Sequence, residues 1–234
     1  MDGKYSKVLT ALLIIAIIVI LLVLIGLGGS IVYNNIQKSD YEAGADAFVE
    51  NVTNGNKSNN KNNKNNNNVN ESLTNSIEPL IGIDSLLANN TNTTQGTSSK
   101  KQTYKGFPMV GTIEIPRTKL KCPVLESASK AAIEVAVGIY DGPGLNKIGN
   151  TIIAGHNYRN GTFFSDNKKI EVGDKIYITD ESGTKLTYIV FNTVTVAPED
   201  SSYFDRDTEG KREITLDTCT DDTQSRLLVL AREE

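Results

Sequence analysis

Three side chains have the types and spacing that acyl transfer needs. His156 is the single histidine and follows Ala154-Gly155 at the end of an apolar run. Cys219 closes Thr215-Leu216-Asp217-Thr218-Cys219, and Arg226 stands seven residues further on. A thiol with a reference pKa of ~8.5 needs help to act as a nucleophile near neutral pH. An imidazole beside it can hold or deliver a proton. A guanidinium keeps its charge, so it can favour a thiolate or steady a tetrahedral oxyanion. Taken singly, each residue has a plainer reading. A cysteine at a strand end packs as a small hydrophobe, a lone histidine is structural, and an arginine at a strand start is solvated. The chemical reading therefore requires three strand ends to meet.

From about Gln102 onward the sequence can supply such ends. Short β-rich runs alternate with Gly, Pro and Asp clusters, the pattern of an all-β domain. Val110–Ile115 alternates and stops at Pro116, and Leu120–Leu125 follows. Ala131–Val137 has helical composition, and Asp141-Gly142-Pro143-Gly144 reads as a loop. Asn150–His156 reads as a buried strand. Lys175–Thr179 and Lys185–Val196 flank Asp180-Glu181-Ser182-Gly183, a hairpin signal. Ile214–Cys219 and Leu227–Ala231 complete the set. Seven or eight short strands in ~130 residues suggest a closed or nearly closed barrel, which also removes exposed sheet edges.

With these elements in place, the head resembles the sortases, the cysteine transpeptidases of Gram-positive cell surfaces. The resemblance rests on Ala154-Gly155-His156-Asn157, on Thr215-Leu216-Asp217-Thr218-Cys219 and on Arg226. It extends to Gly111–Pro116, Pro123-Val124, Phe163-Phe164, Val172–Ile176 and Val196-Ala197-Pro198. It implies an eight-stranded sortase-type β-barrel with short helices. It also implies Cys219 as nucleophile, His156 as general acid/base and Arg226 as the group that holds substrate or oxyanion. Thr218, Ala154, Asn157 and Asp217 are the implied substrate-side residues. Asp217 fills the variable position of the motif, and its side chain either faces away or tunes the groove. The implied reaction cleaves a Leu-Pro-x-Thr-Gly-like sorting signal on a surface protein through a Cys thioester. The acyl group then passes to an amine of a peptidoglycan precursor or of another protein. His156-Asn157 is similar to class B. The short stretch from Lys185 to Thr215 is more similar to the compact classes A and D.

The front of the chain is of another kind. Val8–Leu27 is 20 residues without a charge, enough at ~1.5 Å per residue to cross a ~30 Å hydrocarbon core. Lys4 and Lys7 precede it, so the positive-inside rule expects residues 1–7 in the cytoplasm and the head outside, on a single-pass anchor in the cell membrane. The run is longer than an ordinary signal-peptide core and lacks a clear cleavage site. Residues 28–101 read as a disordered linker: residues 51–70 hold 12 Asn, too little to bury against the entropy of ordering. Within that span, Tyr41, Ala43, Ala45, Ala47 and Phe48 would suit a helix continuing from the membrane, and residues 77–87 are mildly apolar. Residues 102–234 form the expected catalytic domain.

Composition excludes several functions. The formal charge is −4, which argues against a nucleic-acid partner. One His and two Cys form no zinc pattern, and no calcium loop surrounds Glu171, Glu199 or Asp200, so no metal or cofactor is expected. Papain-like enzymes place Cys before His, the reverse of this chain. The L,D-transpeptidases place their Cys in a different local motif. The remaining alternative is a membrane-tethered extracellular binding or adhesion module, with Cys219 structural and open to a disulfide with Cys122.

Overall fold

A computed structural model describes residues 2–64 and 101–234. The chain opens with α1 (Asp2–Lys64) and continues into β1 (Thr103–Tyr104), β2 (Phe107–Ile115) and β3 (Leu120–Leu125). A single helical turn, α2 (Lys130–Ile133), precedes β4 (Val137–Asp141) and β5 (Gly149–Ala154). Then come β6 (Lys175–Asp180), β7 (Lys185–Val196), β8 (Arg212–Cys219) and β9 (Arg226–Glu233).

Strands β2 to β9 form a closed eight-stranded barrel in the order β2-β3-β4-β5-β8-β9-β7-β6, with β6 pairing back onto β2. β1 adds a short antiparallel pair to the start of β2. Two contacts are parallel, β3–β4 and β5–β8. The core is made by alternate residues such as Ile113, Ile153, Ile178, Leu216 and Val229. The expected hairpin forms at residues 180–184. Asp180 Oδ1 accepts from the Ser182 and Thr184 N–H groups, and Gly183 takes the left-handed conformation with φ +78°.

The helical composition of Ala131–Val137 yields only the one turn, capped by the Ser129 hydroxyl. Val137 already starts β4, because the parallel pairing of Val124 with Val137 recruits it into the barrel. Tertiary pairing overrides local propensity there.

The larger departure is α1. The linker was expected to begin at residue 28, yet the helix runs on to Lys64. Tyr41, Ala45 and Phe48 lie on one helical face and are buried. Gly44 lets α1 approach so closely that a Cβ there would stand 2.7 Å from the Tyr104 ring. Asp40 pairs with Lys105, Asp46 with Lys121, and the Asn51 amide donates to Gln102 at 3.0 Å. Residues 41–52 thus form a docked helix, because that face finds apolar surface on the barrel wall that the sequence does not reveal. The rest of the expected linker, including residues 77–87, lies outside the described residues. Towards its start, α1 contains one stretch long and apolar enough to cross a membrane, and the large side chains from Leu12 to Ile25 are exposed.

Candidate active site

The site is built by strand register. β5 and β8 run parallel with Ile153 opposite Leu216 and Ala154 opposite Asp217. His156 lies two residues beyond Ala154, and Cys219 two beyond Asp217. The two occupy equivalent places at the ends of strands ~4.8 Å apart. Three bonds extend the tie past the ladder. Gly155 N–H donates to Asp217 O at 3.1 Å, Thr218 Oγ1 donates to Gly155 O at 2.7 Å, and Asn157 Nδ2 donates to Cys219 O at 3.0 Å. On the other side β9 runs antiparallel to β8, with Arg226 directly opposite Cys219. The imidazole, thiol and guanidinium positions therefore share one mouth of the barrel.

Period-2 alternation sorts the β8 side chains. Ile214 and Leu216 enter the core, and Thr218 follows them, its hydroxyl on Gly155 O. Thr218 is thus next to Cys219 in sequence but on the opposite face. Glu213, Thr215, Asp217 and Cys219 lie on the outer face. Most of that face is covered by the β7–β8 connection, residues 197–211. Arg206 there binds Glu213 and Thr215, and Tyr203 reaches Asp217. Cys219 lies beyond that cover, half-buried beside a cleft of about 200 Å³ that Asn157, Phe164, Lys168 and Leu227 help to line.

The His156 ring packs on Tyr158 with centroids 4.9 Å apart. Its Nε2 stands 3.4 Å from Glu134 Oε1, an ion-pair distance without hydrogen-bond geometry. The Tyr158 hydroxyl donates to Glu134 Oε2 at 2.5 Å. That bond, more than the nearby imidazole, holds the Glu134 carboxyl below its ordinary range. Tyr158 in turn packs on Phe163 at 6.0 Å, and Phe163 on Tyr41 of α1 at 5.7 Å. An aromatic series thus links the docked helix to the histidine.

Asn157 uses its amide internally. Besides Cys219 O it donates to Asp221 Oδ1 at 2.9 Å, and its Oδ1 accepts from Arg159 N–H at 3.0 Å. It joins the loop after His156 to the loop after Cys219. The Asp221 carboxyl is lowered first by Lys168 and then by Asn157.

Asp217 faces the site. Its Oδ1 lies 3.6 Å from Arg226 Nη1, and its Oδ2 accepts from the Tyr203 hydroxyl at 3.1 Å. Burial raises its pKa, outweighing the Arg226 charge and the Tyr203 bond. Ala154, across the ladder from it, is buried.

Cys122 sits in β3, fully buried, with its thiol pushed up to about 12 by burial. Both cysteines are free, so the disulfide that the alternative binding-module reading left open is absent. Glu171, one of the carboxylates considered for calcium, pairs with Arg117 at 3.0 Å. Among the described residues no three His, Cys, Asp or Glu gather as metal ligands.

A sortase domain model matches residues 113–234, a span that includes His156, Cys219 and Arg226. The chain belongs to the sortase family. It is similar to Sortase A of Bacillus anthracis, 35% identical over 113 residues, 47% of this chain and 52% of that one. It is also similar to Sortase A of Streptococcus agalactiae, 28% identical over 148 residues, 60% of this chain and 59% of that one. The chain thus spans between half and three fifths of the length of these curated relatives. Among solved structures, sortase A from Corynebacterium diphtheriae superposes with a TM-score of 0.50 at 31% identity, covering 55% of this chain and 61% of that one. Sortase C1 of Streptococcus agalactiae superposes with a TM-score of 0.50 at 25% identity, covering 54% and 69%. The eight-stranded closed barrel is the sortase barrel, and its connection from β7 to β8 carries no helix among the described residues.

Sequence reasoning left out Glu134, which carries no motif and reaches His156 only in the folded chain. Tyr41 was visible as part of an apolar helical stripe, but nothing in the sequence named its partner.

Proposed function

We propose that the chain is a membrane-anchored cysteine transpeptidase of the compact class A or D kind, acting on Leu-Pro-x-Thr-Gly-like sorting signals of surface proteins. The observation that carries this reading is the shared register of His156, Cys219 and Arg226 at one barrel mouth in a sortase domain. In the first step Cys219 Sγ attacks the Thr carbonyl carbon, and Arg226 faces the oxyanion that forms. His156 gives a proton to the departing Gly amine, the C–N bond breaks, and a thioester remains. In the second step an acceptor amine from a cell-wall precursor or another protein attacks the thioester. His156 takes up the proton, the thiolate leaves, and the new amide is released. Splitting one hard amide exchange into two easier steps is the usual benefit of a covalent intermediate.

Val8–Leu27 is the proposed single span, with Lys4 and Lys7 on the cytoplasmic side and the barrel outside. The docked part of α1 then holds the barrel close to the membrane surface. The test uses the full chain in detergent with a fluorescent sorting-signal peptide and an amine acceptor. Cys219→Ala and His156→Ala each abolish cleavage, and Arg226→Ala cripples it. Hydroxylamine releases the trapped acyl group from the wild type. Full activity in folded Cys219→Ala ends the proposal.

A further inference from the structure

The proposed reaction uses Arg226 but does not say what holds it in place, and the outer face of β8 offers an answer. Asp217 is on the same face of the strand as Cys219, two residues before it, and its side chain is only 5% exposed. One carboxylate oxygen, Oδ2, accepts the Tyr203 hydroxyl at 3.1 Å. The other, Oδ1, has no hydrogen-bond partner among the described residues and stands 3.6 Å from Arg226 Nη1. The Arg226 guanidinium donates no hydrogen bond among the described residues.

Burying a carboxylate oxygen without a hydrogen bond is unfavourable, and a small apolar residue at this position would avoid it. The facing positive charge is the compensation present. At this distance attraction holds the guanidinium while its N–H groups stay open to an incoming oxygen. Tyr203 is itself fixed. Its carbonyl accepts from Asn150 Nδ2 at 2.9 Å, and its ring meets Phe204 edge-on at 4.7 Å. The loop carrying both is clamped by Arg206, whose Nε donates to the buried Glu213 at 2.8 Å.

We propose that Tyr203 and Asp217 are positioning residues that tether Arg226 over Cys219, so that its guanidinium faces the oxyanion without being bound in advance. This rests on the proposed transpeptidase reading. Asp217 holds the charge, and Tyr203 holds Asp217.

Two cycles on the full chain test it. In peptide cleavage, Asp217→Ala lowers kcat roughly tenfold with KM little changed, as for a misplaced transition-state group. Asp217→Asn, which keeps the shape and an acceptor, recovers part of the loss. Tyr203→Phe lowers kcat about threefold alone and has little further effect on top of Asp217→Ala, because residues of one network are not additive. Additive losses, a loss confined to KM, or Asp217→Ala within twofold of wild type while Arg226→Ala is crippled would each overturn the tether. Should Asp217→Ala not fold, the same cycle runs on Tyr203→Phe and Asp217→Asn.

The second cycle needs no turnover and follows the rate of iodoacetamide alkylation of Cys219 at one fixed pH. Arg226→Ala changes that rate, because the side chain across the ladder from the thiol is lost. With Asp217 already replaced by Ala, the same Arg226 change alters it less. An equal change in both backgrounds removes the tether. A wild type that cleaves no sorting peptide defeats the transpeptidase reading instead and leaves the tether to be decided by alkylation.

Discussion

Two cysteines occupy two strands of one barrel, and their surroundings differ in every respect that matters to a thiol. Cys122 lies in the middle of β3, opposite Ile113, with no exposure. Its neighbours Lys121 and Pro123 meet α1, through Asp46 and the backbone of Gly44 respectively. Cys219 is the last residue of β8, where the covering loop stops at Asp217 and a cleft opens. One wall is closed by a helix, and the other is covered by a loop that falls one residue pair short. Position along the strand, rather than residue type, separates a sealed thiol from one that borders a cleft.

The strongest way to break this contrast is to delete each sulfur in turn. Cys219→Ala should cut sorting-peptide turnover by at least about a thousandfold, the usual scale for removing a covalent nucleophile. Cys122→Ala should keep kcat and lose roughly 1–2 kcal/mol of stability through a small cavity. Turnover assays and urea melts on both variants check this. A Cys122→Ala chain that is folded but inactive would move the chemistry to the wrong strand.

Labelling sharpens the same contrast without turnover. Iodoacetamide near neutral pH should modify Cys219 in the native chain at least about a hundredfold faster than Cys122, which becomes reachable only when the barrel opens. Burial pushes the Cys122 thiol to about 12, so little thiolate is present while the barrel stays closed. Peptide mass mapping before and after urea reads both rates. Equal native labelling would show that β3 is not sealed.

The sequence carried the strands and the reactive residues but not their support, for a physical reason. β8 and β9 were legible because alternation marks a strand whichever neighbour it pairs with. His156, Cys219 and Arg226 were legible because each ends or begins such a strand. β4 was not, since Val137-Gly138-Ile139-Tyr140-Asp141 is short and becomes a strand only through Val124 and Ala154. The docked part of α1 was half legible. Its Tyr41, Ala45 and Phe48 stripe was present, but the Asn-rich tract that follows argued for a linker. The joining of Tyr203 to Asp217, and of Asp217 to Arg226, was not legible. It depends on how residues 197–211 fold back over the sheet, and no local pattern encodes that return.

A third test asks what closes the outer face of β8 up to Asp217. The Glu213 side chain has no exposure and receives Arg206 Nε at 2.8 Å and Arg232 Nε at 2.6 Å. Glu213→Ala leaves two guanidinium groups against a vacated site. Removing one side of a buried ion pair costs several kcal/mol, but both arginines reach solvent, so about 2 kcal/mol is expected here. A urea midpoint lowered by that amount, with proteolysis beginning within residues 197–211, would confirm that this carboxylate holds the cover down. A stable variant with an intact loop would mean that the Asn150 bond to the Tyr203 carbonyl and the packing of Tyr140 on Phe204 suffice.

The smallest effect is the most specific to the cysteine-bearing end of β8. Burial raises the Asp217 pKa above the ordinary ~3.9 of an unfolded aspartate, so between those two values the folded chain binds more protons than the unfolded one. Stability must then fall as pH rises through that window, because the folded state gives up its proton less readily. Asp217→Asn has no proton to lose. The two chains should melt alike in acid, where Asp217 is neutral, and the Asn variant should be the more stable one above the window. Paired urea titrations across pH 4 to 7 would read the difference as a gap that opens with rising pH. A gap of the opposite sign would mean that Arg226 and Tyr203 together more than offset the burial of the charge. Asp217 would then serve to hold the fold together, which is the role the Cys122 wall assigns to its own residues.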